Sequence, residues 1–367
     1  MNNLNKKFTI TLAGIFMLLI QFILLNGYYD EGNFLFGSYG DDFQYINNFQ
    51  YINGLNFKLI GLAISGEITG YNYFLYICFK YGNIYLLYFF EFVLYFISNF
   101  YFFKIAQHSL GEKYAKIALF LFLIFPLRYL WLFSFYKDSL VLSLCIIFIY
   151  QTFFKNKRTL SVLSGSLLFL FRPVLLVMSV IIGYKNKIKF RHVFILIISL
   201  ITISILIDNY NYFNEHRFEY LSKKIKNLPF NSGGEISIIY LPLIWIFTMI
   251  QPIFLINKED NIWNNTALIV QIDSFIRLFL APLIIQGLLY FKTYLKDIKI
   301  TLVFKALLLF SLSLAVAFMF LTSRHVLILL PWQIIFALYV YKKQKYNHSL
   351  VFLFIILIVA INFITEI

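Results

Sequence analysis

The sequence predicts an all-α protein, a polytopic bundle of transmembrane helices with about eleven spans, short half-helices included. Two observations carry this. The chain is 61% hydrophobic and only 13% charged, with a mean hydropathy of +0.78, beyond what a soluble domain carries. Its basic residues fall in short clusters between apolar runs long enough to cross a bilayer. The longest polar stretches are a few tens of residues, so the whole of 1–367 reads as one integral membrane domain, with outer loops at 26–83 and 208–235.

Composition also excludes classes of function. A net charge of +14 points to nucleic acid only when the cations form one face, and here they fall in short clusters between hydrophobic runs, as in cytoplasmic loops. Cys78 and Cys145 lie in apolar surroundings and form neither a disulfide framework nor a zinc spacing. The 45 Phe and 27 Tyr accompany abundant Lys, Asn and Ile, a codon-bias signature that carries no function by itself. No phosphate-cradling glycine loop, Ser-His-Asp arrangement or repeat of fixed period stands out.

In chain order, Lys6 and Lys7 precede the apolar run Phe8–Leu25, which places the N-terminus in the cytoplasm. Lacking a small-residue cleavage site, this run reads as a retained helix. The outer loop that follows holds Gly40-Asp41-Asp42-Phe43-Gln44-Tyr45, a short helix near Phe43–Asn53 and an amphipathic stretch, Gly70–Tyr81, suited to the interface. Ile84–Ala106 returns inward, Ala115–Leu127 goes out, and Ser139–Phe154 comes back to Lys155-Asn156-Lys157-Arg158. Leu160–Tyr184 is long enough for one span, yet both of its ends are basic and Arg172-Pro173 interrupts it. Proline breaks a helix, so this segment reads as two half-helices with both feet in the cytoplasm. Val193–Ile207 goes out to the polar loop with His216 and Arg217, and Ile236–Ile256, interrupted by Pro242 and Pro252, reads as re-entrant. Ala267–Phe291, Leu302–Leu321, Val326–Tyr341 and Leu350–Ile364 complete the bundle. On this topology only Glu112 and Asp297 of the 17 acids face inward.

Asp41 and Asp42 are the first candidates for chemistry. Adjacent carboxylates at a membrane boundary fit either a helix cap in a solvated loop or a group that takes a proton or holds a metal. Arg172 is the most informative residue, because an arginine between Phe169-Leu170-Phe171 and Val174-Leu175-Leu176 is costly in lipid. It fits a structural pair with an acid such as Asp138, or a planar grip on a phosphate. Lys137-Asp138 opens a helix facing the same outer space, with helix capping as the plainer role for Asp138. Arg324-His325 stands at the outer start of a helix, either as an anchor or as a ligand group. Arg277 has a candidate structural partner in Asp273.

These pieces form an ordered pattern: the acidic pair after the first helix, Pro126 followed by Lys137-Asp138-Ser139-Leu140, a short helix ending Phe171-Arg172-Pro173, and late Ser323-Arg324-His325 with Leu330-Pro331. The order resembles bacterial integral-membrane glycosyltransferases of the GT-C superfamily and the loosely related polymerases of O-antigen and capsule clusters. The likeness spans most of the chain in the order of its elements, each motif being a few residues long. It implies an enzyme of the cytoplasmic (inner) membrane with an outer-face site. Its partners would be a polyprenyl-phosphate- or polyprenyl-diphosphate-linked saccharide and an acceptor glycan. An acid of the first outer loop would act as base or metal ligand; Asp41 and Asp42 both match, and Asp42 is favoured. A divalent metal is the one cofactor this leaves open. Arg172, Arg324 and Lys137, with Asp138 and His325 beside them, are the candidates to bind the substrate and stabilise the leaving lipid phosphate. A flippase of the same lipid-linked saccharide is the alternative class, although regular spans in two similar halves would then be expected.

Overall fold

The computed structural model describes residues 70–125, 128, 137–183, 245, 249, 265–291, 298–317 and 327–343. Among these residues the secondary structure is helical apart from the turns and breaks between helices, with no strand. Two helical segments, Leu86–Leu110 and Asp138–Lys155, are long and apolar enough to cross a membrane.

Helix α1 is Gly70–Leu110. Its buried residues recur at helical spacing, with Leu87, Glu91, Tyr95, Ser98 and Phe102 on one face and Phe89 and Phe92 exposed on the other. The helix is not straight. Positions 74 and 90 would lie ~24 Å apart along a straight axis, yet the rings of Phe74 and Phe90 are 5.5 Å apart. Gly82-Asn83, weak helix formers, lie midway in this bend. Gly70–Tyr81 is therefore not the separate interfacial helix expected from its amphipathic pattern. It is an arm of α1 that folds back onto the bundle, with Tyr71 fully buried.

Gly111, at φ 81° and ψ 168°, turns the chain from α1 into α2, Glu112–Ile124. That backbone region is essentially closed to residues with a Cβ. Helix α3, Asp138–Ile149, is buried along its whole length and continues into a π-helical turn, Tyr150–Lys155. Asn156, left-handed at φ 53°, ends that turn, a conformation asparagine tolerates better than most residues.

The chain then returns as α4, Arg158–Phe171, and breaks at Arg172 before α5, Pro173–Gly183. The break is where the sequence put it. Gly165 and Leu176 would be ~16 Å apart on a straight helix, but a Cβ on Gly165 would sit 3.5 Å from the Leu176 Cδ1. So α4 and α5 fold back on one another with Arg172-Pro173 at the tip. The backbone at the tip is satisfied, Arg172 N–H donating to the Leu168 carbonyl at 2.8 Å and its own carbonyl accepting from Leu175 N–H at 3.1 Å.

Helices α6, Asn265–Leu289, and α7, Ile298–Ala317, pack with α8, Leu330–Lys343. Helix α8 is buried from Leu330 to Val340 and also touches α1 and α2, so it lies at the centre of the bundle. Pro331 sits in its first turn, where its missing N–H costs nothing. Gly287 of α6 lets α8 approach closely, since a Cβ there would fall 2.5 Å from the Phe336 ring.

Candidate functional site

Helix register brings Glu91, Asp138 and Arg172 to one end of the bundle. Helices α1 and α3 run parallel, as Ser98 meets Ser143 at 3.2 Å and Tyr101 stacks on Tyr150 at 4.6 Å. Helices α3 and α4 run antiparallel, with Thr152 on Ser161 at 2.5 Å near the turn and Asp138 on Arg172 at the far end. The start of α3, the tip of the α4–α5 hairpin and the Glu91 level of α1 therefore share one end.

At that end Arg172 Nη2 donates to Asp138 Oδ1 at 2.6 Å, with the arginine side chain 15% and the aspartate 6% exposed. Burial makes this a charge-assisted bond in a low dielectric rather than a solvated surface contact. Asp138 is the first residue of α3 and Lys137 occupies the N-cap position. Of the two readings open for Asp138, the observed contact is therefore the pair with Arg172. The folded-back arm reaches the same place. Tyr71 meets the Phe171 ring edge-on at 5.4 Å, and Phe74 packs on it at 5.5 Å.

Two buried ionisable residues here escape the sequence pattern. Arg128 lies between the rings of Phe122 and Tyr95, at 3.7 and 4.3 Å, and donates to Ser98 Oγ and the Phe122 carbonyl at 3.4 Å each. Ser98 in turn donates to the Tyr95 carbonyl at 2.8 Å, so one small hydroxyl joins α1, α3 and Arg128. Glu91 is 1% exposed, and neither carboxylate oxygen has a hydrogen-bond partner among the described residues. Its signal in the sequence is a single acid inside Tyr88-Phe89-Phe90-Glu91-Phe92-Val93, since an ionisable residue within a spanning run is costly enough to need a reason.

A second polar cluster adjoins Arg128 through Phe125, whose ring lies 5.3 Å from the Arg277 guanidinium. Arg277 Nε donates to Asp273 Oδ2 at 2.7 Å, both fully buried on α6, as their spacing of four suggests. Arg277 also donates to Gln333 of α8, whose amide donates to the Met249 carbonyl at 2.8 Å. These bonds tie α6 to α8 and to the Met249 carbonyl.

Of the expected site residues, the fold brings together Arg172, Asp138 and Lys137. Asp41, Asp42, Arg324 and His325 lie outside the described residues, as do the loop 208–235 and most of 26–83. Among the described residues no group of three or more His, Cys, Asp or Glu gathers to hold a metal ion. The Asp41–Asp42 position, the expected place for one, is not among them. Compared with known proteins, the chain matches no family model, no curated protein and no solved structure at a significant level.

Proposed function

We propose that the chain is a polytopic glycosyltransferase of the cytoplasmic membrane that uses a polyprenyl-phosphate- or polyprenyl-diphosphate-linked saccharide at the outer face. It would serve surface-polysaccharide assembly, as a repeat-unit polymerase of O-antigen or capsule or as an enzyme adding one sugar. This reading includes about eleven spans and a cytoplasmic N-terminus.

The observation that carries it is the hairpin tip. Arg172, held by Asp138 with Lys137 alongside, presents cationic groups where the helix is broken and the backbone turns within an apolar bundle. A broken helix within a membrane is tolerated where it is buried in protein or lines a cavity, and a guanidinium fixed by a carboxylate is suited to a phosphate oxygen. The arm on Phe171 follows Asp41 and Asp42 in the chain, within the segment 26–83 that the sequence reads as the first outer loop.

The chemistry divides among the residues. A carboxylate, Asp42 by preference, takes the proton of the acceptor hydroxyl as that oxygen bonds to the anomeric carbon. The bond from the anomeric carbon to the lipid phosphate breaks, and the phosphate leaves with the electron pair. Arg172, Lys137, Arg324 and His325 stabilise its developing charge, and Asp138 orients Arg172.

The test is extension of a lipid-linked saccharide by membrane vesicles that contain the protein. Vesicles with the wild-type chain should lengthen the glycan, and vesicles with Asp42→Asn should not. No lengthening by the wild type, with donor and acceptor both supplied, would end the transferase reading.

A further inference from the structure

The end of the bundle opposite the Asp138–Arg172 pair has its own chemistry. Two chain reversals and the end of α8 meet there. Lys342 Nζ at the end of α8 donates to the Leu110 carbonyl at the end of α1, at 2.8 Å. His108 of α1 stands edge-on to Phe154 of the π turn at 5.1 Å, and Thr152 bonds Ser161 across the turn into α4. Lys113 and Lys116 project from α2, Lys155, Lys157 and Arg158 from the second reversal, and Lys342 and Lys343 from α8, all of them exposed. Among the described residues at this end the acid is Glu112, 3.6 Å from Lys116.

The collar adjoins an apolar band without a gap. Directly after Lys116 come exposed Ile117 and Phe120, and directly after Arg158 come exposed Leu160, Val162 and Leu163. Tyr114 lies under Lys342 and Tyr339 under Lys343, at 5.8 and 5.7 Å. Cations and tyrosines edging an exposed apolar band mark the boundary between acyl chains and headgroups. Length agrees. The 18 residues of Asp138–Lys155 span about 27 Å, close to a hydrocarbon layer of about 30 Å.

We infer that this end of the bundle sits in the headgroup layer of a leaflet carrying anionic phospholipid, and that the collar binds the lipid phosphates. The anchoring leaves the Asp138–Arg172 pair at the far edge of the hydrocarbon layer. The inference rests on the chain spanning a membrane and is independent of the transferase activity.

The test uses the full chain in nanodiscs of phosphatidylcholine, with or without phosphatidylglycerol. Thermal unfolding is followed, and co-isolated lipid is counted by native mass spectrometry. The wild type should retain phosphatidylglycerol above its share of the disc and unfold at a higher temperature in its presence, with the gap shrinking as salt rises. The variant K113Q/K116Q/K155Q/K157Q/R158Q spares Lys342, which caps α1, and should lose most of the enrichment. Equal unfolding temperatures in the two discs with no lipid enrichment overturn the inference from the wild type alone, whether or not the variant folds. Undiminished enrichment in a folded variant overturns the collar. Inorganic phosphate at matched ionic strength should give no gain; a gain equal to that of the lipid would make the collar a site for a free anion.

Discussion

Arg172 and Asp138 stand 34 positions apart in the chain and meet at 2.6 Å, the guanidinium Nη2 donating to the carboxylate Oδ1. The contact ties the tip of the α4–α5 hairpin to the first residue of α3. It sets the arginine's planar fork at the end of the bundle where Lys137 also lies. A guanidinium carries five N–H donors, so pairing with a carboxylate and binding a phosphate are compatible roles.

That relationship gives the first prediction. Arg172→Leu strands Asp138 in a buried position and should lower stability by about 2 kcal/mol, with reduced membrane abundance. Adding Asp138→Leu should restore abundance. In the proposed site the double variant stays inactive, and Arg172→Lys retains abundance but loses most activity because it lacks the fork. Glycan chain length and immunoblots of membranes measure both effects. A double variant with full activity removes Arg172 from the site.

Glu91 gives the second. Its carboxylate lies in the interior of α1 with no hydrogen-bond partner among the described residues, and an unsatisfied buried polar group costs about 1–3 kcal/mol. Glu91→Leu keeps a similar volume and removes that cost, so its unfolding temperature in detergent should rise. Lost glycan extension in this more stable variant would assign Glu91 a functional role, since function is what retains such a residue against stability. An unfolding temperature below the wild type's would contradict the cost assigned here.

Several of these features were legible in the sequence, and for physical reasons. The break at Arg172-Pro173 follows from proline's missing donor and fixed φ. The Asp273–Arg277 pair follows from helical spacing. The helices match the apolar runs, although hydropathy does not separate buried positions from exposed ones such as Phe89, Phe120 and Val162. The fold-back of Gly70–Tyr81 was not legible, because Gly82-Asn83 weakens a helix without fixing the direction of a bend. Arg128 was hidden for a different reason. Two residues after Pro126 it looks like a residue of an outer turn, and only tertiary packing closes the rings of Tyr95 and Phe122 over it. The grip of Lys342 on the Leu110 carbonyl joins residues 232 apart, a separation at which local pattern carries no information.

Gly111 supplies a backbone prediction. Its φ of 81° with ψ 168° is a region that a Cβ makes strained, although the nearest atom to an added Cβ is Lys342 Nζ at 3.9 Å. Space is therefore not the constraint. Gly111→Ala should cost about 1–3 kcal/mol through conformation alone. Gly111→Asn should cost about as much as Ala, because asparagine's tolerance of positive φ belongs to the left-handed helical region and not to ψ 168°. Unfolding temperatures of the two variants in detergent measure both costs, and values equal to the wild type's would place the constraint elsewhere.

Gly287 makes the opposite case, where space is the constraint. A Cβ there would lie 2.5 Å from Phe336 Cε1 and 2.8 Å from Val340 Cγ2. Phe336 is fully buried at the centre of the bundle, so its ring has nowhere to swing. Gly287→Ala should force α6 and α8 apart at about 1–3 kcal/mol. Phe336→Leu in the same chain should recover part of the loss, because it removes the clashing ring atoms. If the second substitution only adds to the damage, the close approach of α6 to α8 is not what Gly287 provides.

The last prediction concerns the two feet of the α4–α5 hairpin. Both helices run back from Arg172, so residues before α4 and after α5 belong on the same side of the membrane. Asn156 is exposed in the turn before α4, and Asn186 follows α5 in the chain. The native cysteines, Cys78 and Cys145, are both buried, which keeps background labelling low. Single cysteines placed at 156 and 186 should therefore resist a membrane-impermeant maleimide in intact cells, and both should react once the membrane is opened. The basic residues around both positions favour the cytoplasmic side. Labelling of one position from outside and the other from inside would make Leu160–Tyr184 a single span. It would also reverse every helix after it and move the hairpin tip away from the outer-face site. Labelling of both from outside would keep the hairpin and invert the bundle, placing Arg172 toward the cytoplasm and ruling out a donor bound at the outer face.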